Sequence, residues 1–171
     1  VWGRPALHHV LDLLARWGVR DALINLHHQP MAVVEAALRW GGPIRLAFSF
    51  EPLRPLGTGG ALRSAAWFLD DAPFWLINAD VMADLDPTPL LRALHGPARP
   101  LAALWMVPDA GPRTVSLKGG FVADFAAPAP GGPDRATFSG LHLVRPEALA
   151  FLPPEPVFSI IGVYRRAMAA G

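Results

Sequence analysis

The chain has 171 residues, 52% hydrophobic and 17% charged, with a formal net charge of +1, enough apolar material for one buried core and far from a disordered composition. The near-neutral balance argues against a nucleic-acid groove, and the absence of cysteine rules out disulfides and thiolate chemistry and fits a reducing cytoplasm. No apolar run approaches the ~18 residues of a membrane span, and no signal-peptide pattern opens the chain.

Pro5 can open a helix, and Leu7, Val10, Leu11 and Leu14 follow at 3–4 spacing, so 6–17 reads as a helix closed by Gly18. VRDALINL (19–26) reads as a buried strand. Residues 30–40 put Met31, Val34, Ala37 and Leu38 on one helical face, and IRLAFSF (44–50) alternates like a strand. A glycine loop then precedes a helix over about 60–69. PFWLINAD (73–80) is an apolar strand that ends abruptly in polar residues. A short helix is expected at 87–95 and a strand at 101–107. TVSLKGGFVADF (114–125) has the look of a hairpin turning at Lys-Gly-Gly, 126–135 is a Pro/Gly loop, ATFSGLHLV (136–144) a strand and SIIGVYRRAMAA (159–170) a helix. Strand and helix alternate from 6 to 107, which predicts a mainly parallel sheet with helices on both faces: a Rossmann-like, three-layer α/β/α fold in one domain over 1–171. The ends, VWGRPALHH and YRRAMAAG, read as those of a piece cut from a longer chain.

Ligands of open parallel sheets bind beyond the carboxyl ends of the strands. Two stretches fall there. In PLGTGGALRSA (55–65), Gly59 and Gly60 lack Cβ atoms, so a planar base or a phosphate can lie against their backbone, and the amides opening the next helix favour an anion. The competing reading is a plain turn. In NAD (78–80), Asp80 closes a strand, where a carboxylate suits a hard cation such as Mg²⁺ that takes its remaining ligands from phosphate and water. Alternatively Asp80 caps the following turn, with Asp84 and Asp86 as solvated loop acids. The pairs His8/His9 and His27/His28 point different ways along a helix or strand and make poor metal chelates. No Ser-His-Asp or Cys-His set can be assembled, so no catalytic side chain is assigned. The tryptophans, at element ends or in apolar runs, read as core.

Taken together, five segments resemble the sugar-phosphate nucleotidylyltransferase family over nearly the whole chain: GRPALHHVLDLLARWGVRDALINLHH, EPLRPLGTGGALRSAAWFL, PFWLINADV, TFSGLHLVRPEAL and FSIIGVYRRAMAAG. The His-His after INL and the last helix are most similar to its bacterial uridylyl- and guanylyltransferase branch. The resemblance implies that Gly57, Thr58, Gly59 and Gly60 lie along a nucleotide base, with Glu51 near the base edge. It implies that Asn78 and Gly140 sit at the sugar and that Asp80 holds Mg²⁺. The implied reaction is attack of a sugar 1-phosphate on the α-phosphate of UTP or GTP, giving a nucleotide sugar and pyrophosphate. A catalytically degraded binding or regulatory module of the same fold is the alternative. The family pattern also implies a first strand, a Gly-rich Arg-bearing phosphate loop and a lysine ahead of Val1, and a second metal aspartate beyond Gly171. Gly162 stands where relatives often carry Asp, and Ala79 where Gly is usual.

Overall fold

A computed structural model describes residues 3–125 and 134–171. Most of the Pro/Gly loop expected at 126–135 lies outside the described residues.

The chain begins as a βαβ-type alternation. Helix α1 (Ala6–Arg16) follows Pro5 and buries Val10, Leu11, Leu13 and Leu14. Its end is set by Gly18, whose φ of +79° is a conformation that side chains resist. Strands β1 (Asp21–Leu26) and β2 (Arg45–Phe50) pair in parallel, from Asp21 opposite Arg45 to Leu26 opposite Phe50, across helix α2 (Pro30–Arg39). The Trp40 indole closes this crossover onto α1, donating to Asp12 at 2.8 Å. That bond, ahead of nearby Arg4, holds the Asp12 carboxyl below the usual carboxylate range.

Helix α3 (Gly57–Ser64) and a 3₁₀ turn at Ala66–Phe68 lead to β3 (Phe74–Ile77) and α4 (Thr88–His95). Strands β4 (Ala102–Val107), β5 (Val115–Lys118), β6 (Phe121–Phe125) and β7 (Arg135–Val144) follow. After a second 3₁₀ segment, Pro146–Phe151, comes α5 (Ile160–Ala170). The ten-residue β7 is the hub of a five-stranded sheet. Its C-terminal half pairs antiparallel with both β3 and β4, and its N-terminal end with β5, which forms the expected hairpin with β6.

The expectation of a mainly parallel sheet is therefore corrected: parallel pairing is confined to β1–β2, and every pairing in the larger sheet is antiparallel. Alternation of helix with strand says that a strand is covered, not which neighbour it takes. β3 takes β7, so among the described residues β1 and β3 each keep one edge without a strand.

Helices still cover both faces. Leu13 of α1 with Leu90 and Leu94 of α4 packs on Ala103, Leu141 and Leu143. On the other side Leu62 of α3 joins Ile160, Val163 and Tyr164 of α5 over Val115 and Phe125. Trp75 and Ile77 of β3 also reach the cluster of Val10, Leu11, Leu14 and Ile44, so α1 spans both sheets. Trp17 packs at a tilt against Trp75 and donates to the Leu85 carbonyl, as a core tryptophan should, but Trp67 is 68% exposed, against expectation. No helix among the described residues is long and apolar enough to cross a membrane.

Candidate nucleotide site

The glycine run is not a loop ahead of a helix; it is the first turn of α3, which starts at Gly57 rather than near residue 60. Glycine is a poor helix former, so something other than propensity holds this turn. That something is the segment before α5. The amides of Gly59 and Gly60 both donate to the Phe158 carbonyl, at 3.0 and 3.2 Å, and the Phe158 amide donates back to Leu56 at 3.0 Å. The Thr58 hydroxyl oxygen accepts from the Ile160 amide at 3.0 Å, and the Ser159 hydroxyl from Ile161. Thr58 and Ser159 thus cap the N-terminus of α5 together.

The glycines are required by this close approach. A Cβ on Gly57, already at φ +73°, would sit 2.7 Å from the Phe158 carbonyl oxygen; one on Gly59, 2.4 Å from the Phe158 ring; one on Gly60, 2.6 Å from the Pro156 carbonyl oxygen. Arg63 clamps the same segment from outside. Its guanidinium lies 4.7 Å from the Phe158 ring centroid and donates to the carbonyls of Pro154 and Glu155. Two of the amides expected to face an anion are therefore spent on Phe158. Gly59 and Gly60 are buried, and the exposed edge consists of Gly57 and Thr58. The backbone along that edge carries no side chain at Gly57.

Glu51 directly follows β2 and is buried. Its carboxylate accepts from Asn25 Nδ2 and from the Leu56 amide, both at 3.0 Å.

Asn78, just past the end of β3, and Gly140, in the middle of β7, are 62 positions apart and in contact. The Asn78 amide donates to the Gly140 carbonyl at 3.0 Å. Gly140 has φ +80°, and a Cβ there would fall 2.3 Å from Asn78 Nδ2. The space left by the glycine is filled by the Asn78 side chain.

Asp80 lies two residues on, exposed, in a turn closed by the Val81 amide donating to the Asn78 carbonyl. Among the described residues its carboxylate has no hydrogen bond or ion pair. The other two loop acids are engaged: Asp84 pairs with Arg16 at 2.9 Å, and Asp86 accepts from the Thr88 amide, with the Thr88 bonds holding its carboxyl below the usual range. Among the described residues no three His, Asp or Glu form a metal cluster. The donor set thus offers a single carboxylate, which fits Mg²⁺ only where phosphate and water supply the remaining oxygens. A shallow cleft of about 250 Å³ lined by Thr114, Phe125, Phe138, Ile161 and Arg165 contains none of these residues.

Sequence reasoning missed Phe158, Arg63 and Asn25. Only the aromatic before the helix, in VFSII, hinted at Phe158, and nothing local pairs it with a loop 100 positions earlier.

The arrangement, with helices on both faces of strands whose ends carry a glycine turn and an Asn–Ala–Asp corner, is an α/β fold shared with solved nucleotidyltransferase structures. Among solved structures, that of HddC from Yersinia pseudotuberculosis complexed with GMP-PN superposes with a TM-score of 0.72 at 22% identity, covering 92% of this chain and 69% of that one. The sequence carries the relationship further. The mannose-1-phosphate guanyltransferase of Aspergillus fumigatus is 35% identical over 85 residues, 47% of this chain and 23% of that protein. The N-acetylmuramate alpha-1-phosphate uridylyltransferase of Neisseria meningitidis serogroup B is 29% identical across 98% of this chain and 74% of that protein. This chain thus spans about a quarter of the length of the guanyltransferases it matches. No family model matches the sequence. By these similarities the chain resembles the sugar-phosphate nucleotidylyltransferase family along nearly its whole length.

Proposed function

We propose that this chain carries the base- and sugar-binding half of a Mg²⁺-dependent nucleotidylyltransferase of the cytoplasm. The enzyme transfers a nucleoside monophosphate from UTP or GTP to a sugar 1-phosphate. A phosphate oxygen of the sugar 1-phosphate attacks the α-phosphorus, the bond from that phosphorus to the bridging oxygen breaks, and pyrophosphate leaves. The observation that carries this reading is the Gly57–Thr58 edge. It is exposed backbone, held from behind by the Phe158 carbonyl on the side where a Gly57 Cβ would fall. A flat base can lie against such an edge without displacing anything.

In this reading Gly57 and Thr58 face the base, while Gly59 and Gly60 shape the turn from inside. Asn78, fixed by Gly140, reads the sugar. Asp80 would hold Mg²⁺, which would supply charge neutralisation on the reacting phosphates. The residues themselves bind and orient; no side chain forms a covalent intermediate. The relatives' names point to guanylyl transfer to mannose 1-phosphate or uridylyl transfer to N-acetylmuramate 1-phosphate.

A thermal-shift titration with UTP and GTP, with and without Mg²⁺, beside Asp80→Ala, tests it. A nucleotide at about 100 times its Kd, bound only by the folded chain, adds roughly 2.7 kcal/mol of stability. The expected result is a Mg²⁺-dependent rise for one nucleotide that Asp80→Ala abolishes. The lone carboxylate at Asp80 favours a second reading, a binding or regulatory module that has lost catalysis. A cooperative melt that neither nucleotide shifts would overturn nucleotide binding by this chain and support that module.

A further inference from the structure

Every polar atom of Glu51 has a partner. Its amide donates to the Leu26 carbonyl at 2.8 Å, and its own carbonyl oxygen lies 2.7 Å from His27 Nδ1. Oε1 accepts from Asn25 and Oε2 from the Leu56 amide. These bonds knot the ends of β1 and β2 to each other and to the residue that leads into Gly57. Leu56 is then fixed from both sides, its amide by Glu51 and its carbonyl by Phe158. The residue is only 5% exposed, so a base reaching its carboxylate would have to crowd Leu56 or Asn25, the donors that already hold it. Leaving either donor unpaired would cost more than a new contact returns.

We propose that Glu51 is a positioning residue: it sets the Gly57–Thr58 edge through Leu56 and makes no contact with the base. This rests on the glycine turn being the nucleotide site. Asn25 provides the means of testing it. In Glu51→Gln, the side-chain oxygen still accepts from Leu56 while the new NH₂ faces Asn25. Asn25 can turn its amide over to present an oxygen. Gln therefore rescues the brace while Asn25 is present.

The experiment uses the 171-residue chain as wild type, Glu51→Ala, Glu51→Gln and Glu51→Gln/Asn25→Ala. Two quantities are measured: amide exchange of Leu56 and Gly57 without nucleotide, and Kd for GTP and UTP with Mg²⁺. Glu51→Ala is expected to speed Leu56 exchange and weaken both nucleotides by the same factor, roughly tenfold, the loss of one charge-assisted hydrogen bond. Glu51→Gln should restore both quantities, and adding Asn25→Ala should remove that rescue. If Glu51→Ala does not fold, the last two variants give the same contrast. A changed GTP-to-UTP preference in Glu51→Gln with Leu56 protection intact would overturn the proposal, because Glu51 would then be reading the base. Unchanged Leu56 exchange in a folded Glu51→Ala would overturn it too. A wild-type chain that binds neither nucleotide is a different result: it removes the nucleotide reading and the positioning role with it, while Leu56 exchange still reports whether the brace exists.

Discussion

At the scale of single residues, His142 is the strongest departure from ordinary solution behaviour. It is buried on β7 with its Nδ1 2.5 Å from the Tyr164 hydroxyl and the Phe138 ring edge-on beside it. Burial pushes its pKa down from 6.5 to about 3 and raises that of Tyr164, so a neutral imidazole accepts the phenolic proton. Between those two pH values the unfolded chain binds a proton that the folded chain refuses. Stability is therefore complete above about pH 6.5 and falls as pH drops through the window, by roughly 1.4 kcal/mol per unit. Urea titrations at pH 7, 6, 5 and 4 should show that slope in the wild type, and His142→Phe should lose it while keeping whatever slope the carboxylates contribute. Equal slopes in the two proteins would refute the assignment. The sequence displays His142 only as one residue of an apolar strand. Its partner is 22 positions away on another element, where no periodicity leads. Resemblance alone singled out Glu51, Asn78 and Gly140 as candidates, whereas their partners, Asn25, Leu56 and each other, required the fold.

Among the elements, the helices were the most legible. α1 and α5 fall within a residue or two of the spans that 3–4 spacing dictates. Spacing failed at α3 because its start is made by tertiary bonds to Phe158, which override glycine's low propensity. It failed also for the sheet, because an apolar run marks burial without naming a neighbour. α5 offers a clean test of its own helix propensity. Its Gly162 has open space where a Cβ would go and no positive φ. Gly162→Ala should stabilise the chain by about 0.5–1 kcal/mol, the usual helix-interior difference, read from chemical denaturation. A destabilised Gly162→Ala would mean that something packs at that position.

For the molecule as a whole, the division into two sheets has a measurable signature. β7 has strands on both sides, whereas β1 among the described residues has one only on the β2 side. Residue-resolved hydrogen exchange should show slow amides throughout the paired stretch of β7 and an alternation of slow and fast amides along β1. Uniformly slow exchange along β1 would contradict the edge. The junction of α3 with α5 carries a different consequence, one of time. Thr58 caps an amide 102 positions further along the chain. At a synthesis rate of roughly 5–20 residues per second, the glycine turn waits on the order of 5–20 seconds after it is made before Phe158 and Ile160 exist to hold it. During that interval its three glycines have neither the propensity nor the partners to stay helical. The nascent chain therefore carries its candidate nucleotide edge unformed until nearly the last residue of this segment has been added, and a nucleotide can find it only then.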